Sequence, residues 1–232
     1  MKVTPDNIIY WQKGFFVLNA TIVFTWIVMG LLLLVSWLAT RTLRTDPRIS
    51  YWQNFLESIF QYIRNQIREV LRDEPSRYLP FLGTLFLFIS LSNFLTFVPG
   101  YQPPTGSLST TGALAVCVFF AVPLYGIMRK GVPGYLKHYF QPTWFMFPFH
   151  VISEISRTLA LAIRLFGNIM SGTLIAAILI SVVPLFLPVV MQAFGLLIGQ
   201  IHAYIFAVLA LVYIASGSRT EGKQERREGD EG

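Results

Sequence analysis

The chain has 232 residues, of which 54% are hydrophobic and 13% charged, and its formal net charge is +6. That composition is too apolar for an ordinary soluble domain and makes the bilayer the solvent. The basic residues stand in short segments between apolar stretches, where they orient spans rather than grip nucleic-acid phosphates. A single cysteine, Cys117, excludes an intrachain disulfide and a thiolate metal cluster.

About 20 apolar residues carry a helix across the roughly 30 Å hydrocarbon layer. The first apolar run, residues 15–39, is longer than a signal-peptide core and has no small-residue cleavage site, so it is expected to remain as a span. Residues 51–72 are different. There Trp52, Phe55, Ile59, Ile63, Ile67 and Val70 recur at helical spacing against Gln53, Glu57, Gln61, Arg64, Arg68 and Arg72. This pattern predicts an amphipathic helix at the membrane surface. Residues 79–99 and 111–128 predict two further spans, and residues 147–181 and 188–216 two unusually long ones, parted by the turn Val183-Pro184-Leu185. At 1.5 Å per residue the fourth would measure about 50 Å against a core of about 30 Å, so it must tilt steeply. Residues 217–232 mix Glu, Gly, Arg and Lys without an apolar anchor, which predicts a disordered tail.

The expected fold class is therefore all-α and integral to the membrane: one domain over residues 1–216, five spans and one interfacial helix. Five spans place Arg41, Arg44 and Arg48, then Arg129, Lys130 and Lys137, then Arg219, Lys223, Arg226 and Arg227 on one side. The uncharged connection at residues 100–110 falls on the other side with the N-terminus. By the positive-inside rule the N-terminus lies outside and the C-terminus in the cytoplasm, across a cell (inner) membrane. The sequence has no internal repeat of the kind that builds many secondary transporters. It also has no Gly-rich phosphate loop, no zinc-binding His-Glu-x-x-His and no nucleophile elbow. ATP, cofactors and metals are not expected to bind this chain.

Chemistry concentrates in the fourth span. Arg164 stands midway along it, and a guanidinium keeps its proton at any accessible pH. Burying that charge at mid-membrane costs about 2.5–3.5 kcal/mol on insertion scales, so it signals function. At 100° per residue, His150, Ser153, Arg157, Asn168 and Ser171 project within about 40° of Arg164, which makes one polar stripe. Glu154, near the helix start, is the one acid inside the spans, so a counter-charge for Arg164 should come from another polypeptide. In the last span His202, Gly195, Gly199, Phe206 and Tyr213 share a face opposite Gln200 and Tyr204. The Gly195/Gly199 spacing suits close helix packing. His202 can be a proton relay or a hydrogen-bonded packing residue.

The run from Ser156 to Asn168, with R-L-F-G-N at Arg164 to Asn168, resembles the signature of subunit a of the membrane sector of F-type ATP synthase. The resemblance extends through Asn93 to Pro99, the Gly131-Val132-Pro133-Gly134 loop, and His202 to Tyr213. It implies a stator that is not a catalyst alone but part of the ATP synthase complex. The implied partners are c-ring subunits, b-type peripheral stalk subunits and membrane lipid, with no nucleic acid. The residue matching the family's arginine is Arg164, facing the c-ring carboxylates. Asn168, Ser171, Gln200, His202, Tyr213, Thr173 and His150 are the expected lining of two ion half-channels. The chain departs from the pattern of many bacterial members at Thr96 and Thr173, which stand where those carry acids, at His202 in place of glutamine, and at Gly195 in place of histidine. H+ is the expected coupling ion and Na+ the alternative. A stand-alone transporter that binds an anionic substrate at Arg164 is a further reading, and a membrane scaffold a third.

Overall fold

The computed structural model describes residues 6, 9–13, 16–41, 51–71, 74–98, 100–140, 147–182 and 187–218. Among them run six long helices: α1 (Ala20–Arg41), α2 (Tyr51–Leu71), α3 (Leu79–Phe94), α4 (Leu108–Phe140), α5 (Phe147–Val182) and α6 (Leu187–Ser218). All but α2 contain a stretch long and apolar enough to cross a membrane, so the chain is a multi-pass, all-α membrane protein. Five crossings leave the two ends on opposite sides, here called the N-face and the C-face.

The first predicted span begins too early. Residues Phe16–Asn19 form a strand (β2) paired antiparallel with Ile9–Lys13 (β1), and the helix starts at Ala20. A short apolar run such as Phe16-Val17-Leu18 has no periodicity that separates strand from helix. The third helix is longer than the predicted 111–128. It continues to Phe140 through a break at Gly131, whose φ of 73° is open to glycine, so the expected loop is realised as a kink. Gly217 and Ser218, assigned from sequence to the tail, finish α6. Arg44, Arg48, Arg72, the turn Val183-Pro184-Leu185 and the tail from Arg219 lie outside the described residues.

Packing follows the apolar faces. Leu82, Leu85 and Ile89 of α3, Val118 and Val122 of α4, Leu161 and Leu165 of α5, and Phe206, Ala210 and Ile214 of α6 make one buried core. α2 is amphipathic as predicted: Ile67 and Leu71 are buried in the core, while Glu57, Gln61, Arg64 and Arg68 stay exposed. It leans on α6 through Tyr62, whose hydroxyl donates to that of Tyr204 at 3.1 Å. α1 is peripheral and leaves Trp26, Leu33 and Trp37 exposed, an apolar face for lipid or a partner helix. α5 has 36 residues and α6 has 32. At 1.5 Å per residue they are about 54 and 48 Å long, so crossing a core of about 30 Å requires steep tilt in both.

Candidate functional site

Arg164 lies near the middle of α5. Leu161 and Leu165 point into the core at 1% and 0% exposure, and the helical twist therefore turns Arg164 outward, together with Ala160, Gly167 and Ser171. Among the described residues no hydrogen bond or salt bridge holds the guanidinium. A permanent cation is thus displayed on the bundle's surface at mid-span. Across the helix interface His202 of α6 lies within electrostatic reach of it. His202 itself is buried, at 7% exposure.

On the N-face side of Arg164 the polar groups of α3 and α6 interlock. Ser90 donates its hydroxyl to Gln200 Oε1 at 2.5 Å, and Gln200 Nε2 donates back to the Ser90 carbonyl at 2.9 Å. One turn further, Asn93 Nδ2 donates to the Gly199 carbonyl at 2.8 Å, and Gln192 Nε2 reaches the Thr96 carbonyl at 2.9 Å. Gly199 makes this approach possible, since a Cβ there would stand 2.9 Å from Asn93 Cγ. Gly195 has nothing within 4 Å, so only one glycine of the predicted pair packs a helix. Beyond Asn93 the track continues to Ser92, fully buried, which faces the Tyr101 hydroxyl without closing a hydrogen bond. Burial pushes the Tyr101 phenol far above the ordinary tyrosine range, with the Ser92 hydroxyl offsetting part of it, so Tyr101 stays neutral.

On the C-face side a cleft of about 190 Å³ opens between α4, α5 and α6. His150, Ser153, Glu154, Arg157, Tyr213 and Ser216 line it. Arg157 is pinned across it: Nη1 donates to Ser216 Oγ at 3.3 Å, and the guanidinium sits 5.8 Å from the Tyr213 ring centroid. The predicted His150 and Tyr213 therefore meet in one cleft, about two to four turns below Arg164.

Three predicted lining residues join neither assembly through their side chains. Ser171 donates to the Asn168 carbonyl at 3.0 Å and Thr173 to that of Met170 at 2.9 Å, which binds both hydroxyls to their own helix. Asn168 is half-buried beside them on the Arg164 face. Ser90, Ser92, Tyr101 and Ser216 join the site without a signal in the sequence. Each is a small or aromatic polar residue that only its distant partner makes significant. Among the described residues no group of three or more His, Cys, Asp or Glu side chains gathers to hold a metal.

Comparison with known proteins agrees with this arrangement. The family described as ATP synthase A chain matches residues 22–215. The chain is 60% identical over 221 residues to ATP synthase subunit a 2 of Acaryochloris marina, covering 95% of this chain and 94% of that one. It is 59% identical to ATP synthase subunit a 1 of Crocosphaera subtropica, over 99% of both chains. To ATP synthase subunit a of Albidiferax ferrireducens it is 57% identical, covering 94% and 95%. A mid-span arginine set between two polar tracks in a five-span bundle, and a match that runs over nearly the whole length, place this chain in the ATP synthase A chain family, the family of subunit a.

Proposed function

We propose that this subunit, part of the stator of an F-type ATP synthase, conducts the coupling ion through two half-channels that meet the rotor at Arg164. The observation that carries the reading is the guanidinium at mid-span on the bundle's surface, unpaired among the described residues. Such a charge is costly in lipid and calls for an acid from another polypeptide. A c-ring supplies one carboxylate per subunit, held neutral or ion-loaded while it faces hydrocarbon. When rotation brings it opposite Arg164, the attraction favours its charged form and releases the ion. At an effective dielectric of about 20 and 4 Å separation this is worth about 4 kcal/mol, enough to unload without locking the rotor.

The path from the N-face would follow Tyr101, Ser92, Asn93, Gln200 and His202. The path to the C-face would use the cleft with His150, Glu154, Arg157 and Tyr213. Asn168, Ser171 and Thr173 would line the rotor side. Arg164 stands between the tracks as a fixed positive barrier, so an ion passes only by riding the ring. The membrane potential adds about 2.3 kcal/mol per charge per 100 mV. A b-type stalk would hold the subunit against the torque. With the N-face outside the cell, inward flow drives synthesis. H+ is the first reading for the ion. Na+ is the second, favoured by the hydroxyl and amide oxygens that make up the N-face track.

Side-specific access tests the two paths. In a Cys117→Ser background, needed because Cys117 is exposed, a cysteine at Ser90 should be blocked by Ag⁺ applied to the N-face, and one at Ser153 by Ag⁺ applied to the C-face. Transport through the assembled complex is the readout. Inhibition of both from the same face would contradict the half-channel arrangement.

A further inference from the structure

We propose that the Asp6 carboxylate is the cation-collecting group at the N-face mouth of the ion path. The inference rests on the half-channel reading above and extends it to a residue ahead of the first span. Asp6 is the only acid in residues 1–19, 98–107 and 183–186, the segments that five crossings place on the N-face. The same segments hold Lys2 and Lys13, so the attraction a cation path needs at its entrance is local to this carboxylate; neutral oxygens do not provide it.

The carboxylate is held in place. Thr21 Oγ1, at the start of α1, donates to Asp6 Oδ1 at 2.6 Å, and Ser107 Oγ donates to Oδ2 at 2.6 Å. Ser107 has one hydroxyl proton, so with that proton on Asp6 the 2.6 Å contact to Ser109 is donated by Ser109. An ionised carboxylate has about four acceptor positions. Among the described residues two are taken, which leaves acceptor positions for a cation.

The surroundings continue this chemistry inward. Residues 103–107 are all buried in an uncharged turn packed against α1, α3, α4 and the arginine helix α5. Within and beside it, Thr105 Oγ1, Gln102 Oε1 and Asn19 Oδ1 are buried oxygens without a hydrogen-bond partner among the described residues, and Thr105 is fully buried. Leaving such groups unmatched is costly, and an oxygen-seeking guest offsets that cost. One carboxylate among hydroxyl and amide oxygens suits a hard monovalent cation or a hydrated proton, and excludes a soft metal. From here Tyr101 and Ser92 lead to Asn93 and the α3–α6 interlock.

The test uses the assembled synthase in liposomes at constant membrane potential. N-face Na⁺ is titrated at fixed pH, and N-face pH at fixed Na⁺. Asp6→Asn, nearly isosteric, should raise the half-saturating concentration of the ion that drives synthesis about tenfold, the size expected for losing one nearby charge close to solvent. Its saturating rate should stay near wild type. Because that variant can fail to assemble, a second arm changes charge afterwards: Ser109→Cys in the Cys117→Ser background, modified from the N-face by cationic or anionic thiosulfonates. The cationic adduct should weaken ion dependence and the anionic one strengthen it. A wild-type titration in Asp6→Asn, or identical effects of the two adducts, would overturn the proposal. Arg164→Ala in the same preparation separates the layers: if it still makes ATP, the half-channel reading itself fails, whereas a dead Arg164→Ala beside an unaltered Asp6→Asn removes only this inference.

Discussion

Arg164→Ala should abolish ion-driven ATP synthesis while leaving the complex assembled. The lost attraction for a rotor carboxylate, about 4 kcal/mol at an effective dielectric of 20, corresponds to roughly a thousandfold fewer unloaded carboxylates at the stator. Removing the fixed charge also opens a direct passage between the two tracks, so passive ion leak should rise as synthesis falls. Assembly should survive because no hydrogen bond or salt bridge among the described residues depends on this guanidinium. Losing it also relieves the insertion cost of a mid-membrane cation. Synthesis in vesicles under an imposed ion gradient, normalised to assembled complex, makes the comparison. Coupled synthesis near the wild-type rate would contradict the assigned role.

Gly199→Ala should damage the subunit more than its size suggests. The new Cβ would meet Asn93 Cγ at 2.9 Å, Nδ2 at 3.0 Å and Cβ at 3.2 Å. The Asn93 Cβ is tied directly to the α3 backbone, so relief requires the two helices to separate. Overpacking of this kind costs about 1–3 kcal/mol. If the buried bond from Asn93 to the Gly199 carbonyl is lost with it, the cost rises by about 1–3 kcal/mol more. His202 lies one turn below on the same face of α6, so its placement beside Arg164 should shift and coupling should fall. Asn93→Ala added to Gly199→Ala should restore thermal stability in part, because it removes the obstructing amide. Gly195→Ala, with open space around it, should be neutral. Equal thermal stability of the Gly199 and Gly195 variants would show that the α3–α6 interlock is not the constraint described here.

The spans and the arginine were legible in the sequence because each depends on local information. Twenty apolar residues mean a crossing wherever they occur, and one guanidinium at the centre of 147–181 is conspicuous on energetic grounds alone. The amphipathic α2 was equally readable, since Ile63, Ile67 and Val70 keep helical spacing against Arg64 and Arg68. What escaped depends on partners far away in the chain. Ser90 and Asn93 look like ordinary polar residues in a span until Gln200 and Gly199 are set against them from α6. Asp6 is a single acid ahead of the first span that carries no local signal, and only Thr21 and Ser107, distant from it in the chain, fix its place. For Ser171 and Thr173 the helical pattern gives the position but not the bonding: their hydroxyls donate to carbonyls of their own helix. The strand Phe16–Asn19 is indistinguishable from helix in the sequence because its apolar residues merge without a break into those of α1.

Whether the exposed Arg164 face of α5 runs against a carboxylate-bearing helix of another subunit can be measured by cross-linking in the assembled complex. Single cysteines at Ala160, Gly167 and Ser171, all exposed on that face, would be paired with cysteines flanking the c-subunit carboxylate in the Cys117→Ser background. Disulfides should form at all three positions and not from Leu33, exposed on α1. Cross-links from Leu33 with none from the α5 positions would place the rotor elsewhere and contradict the account.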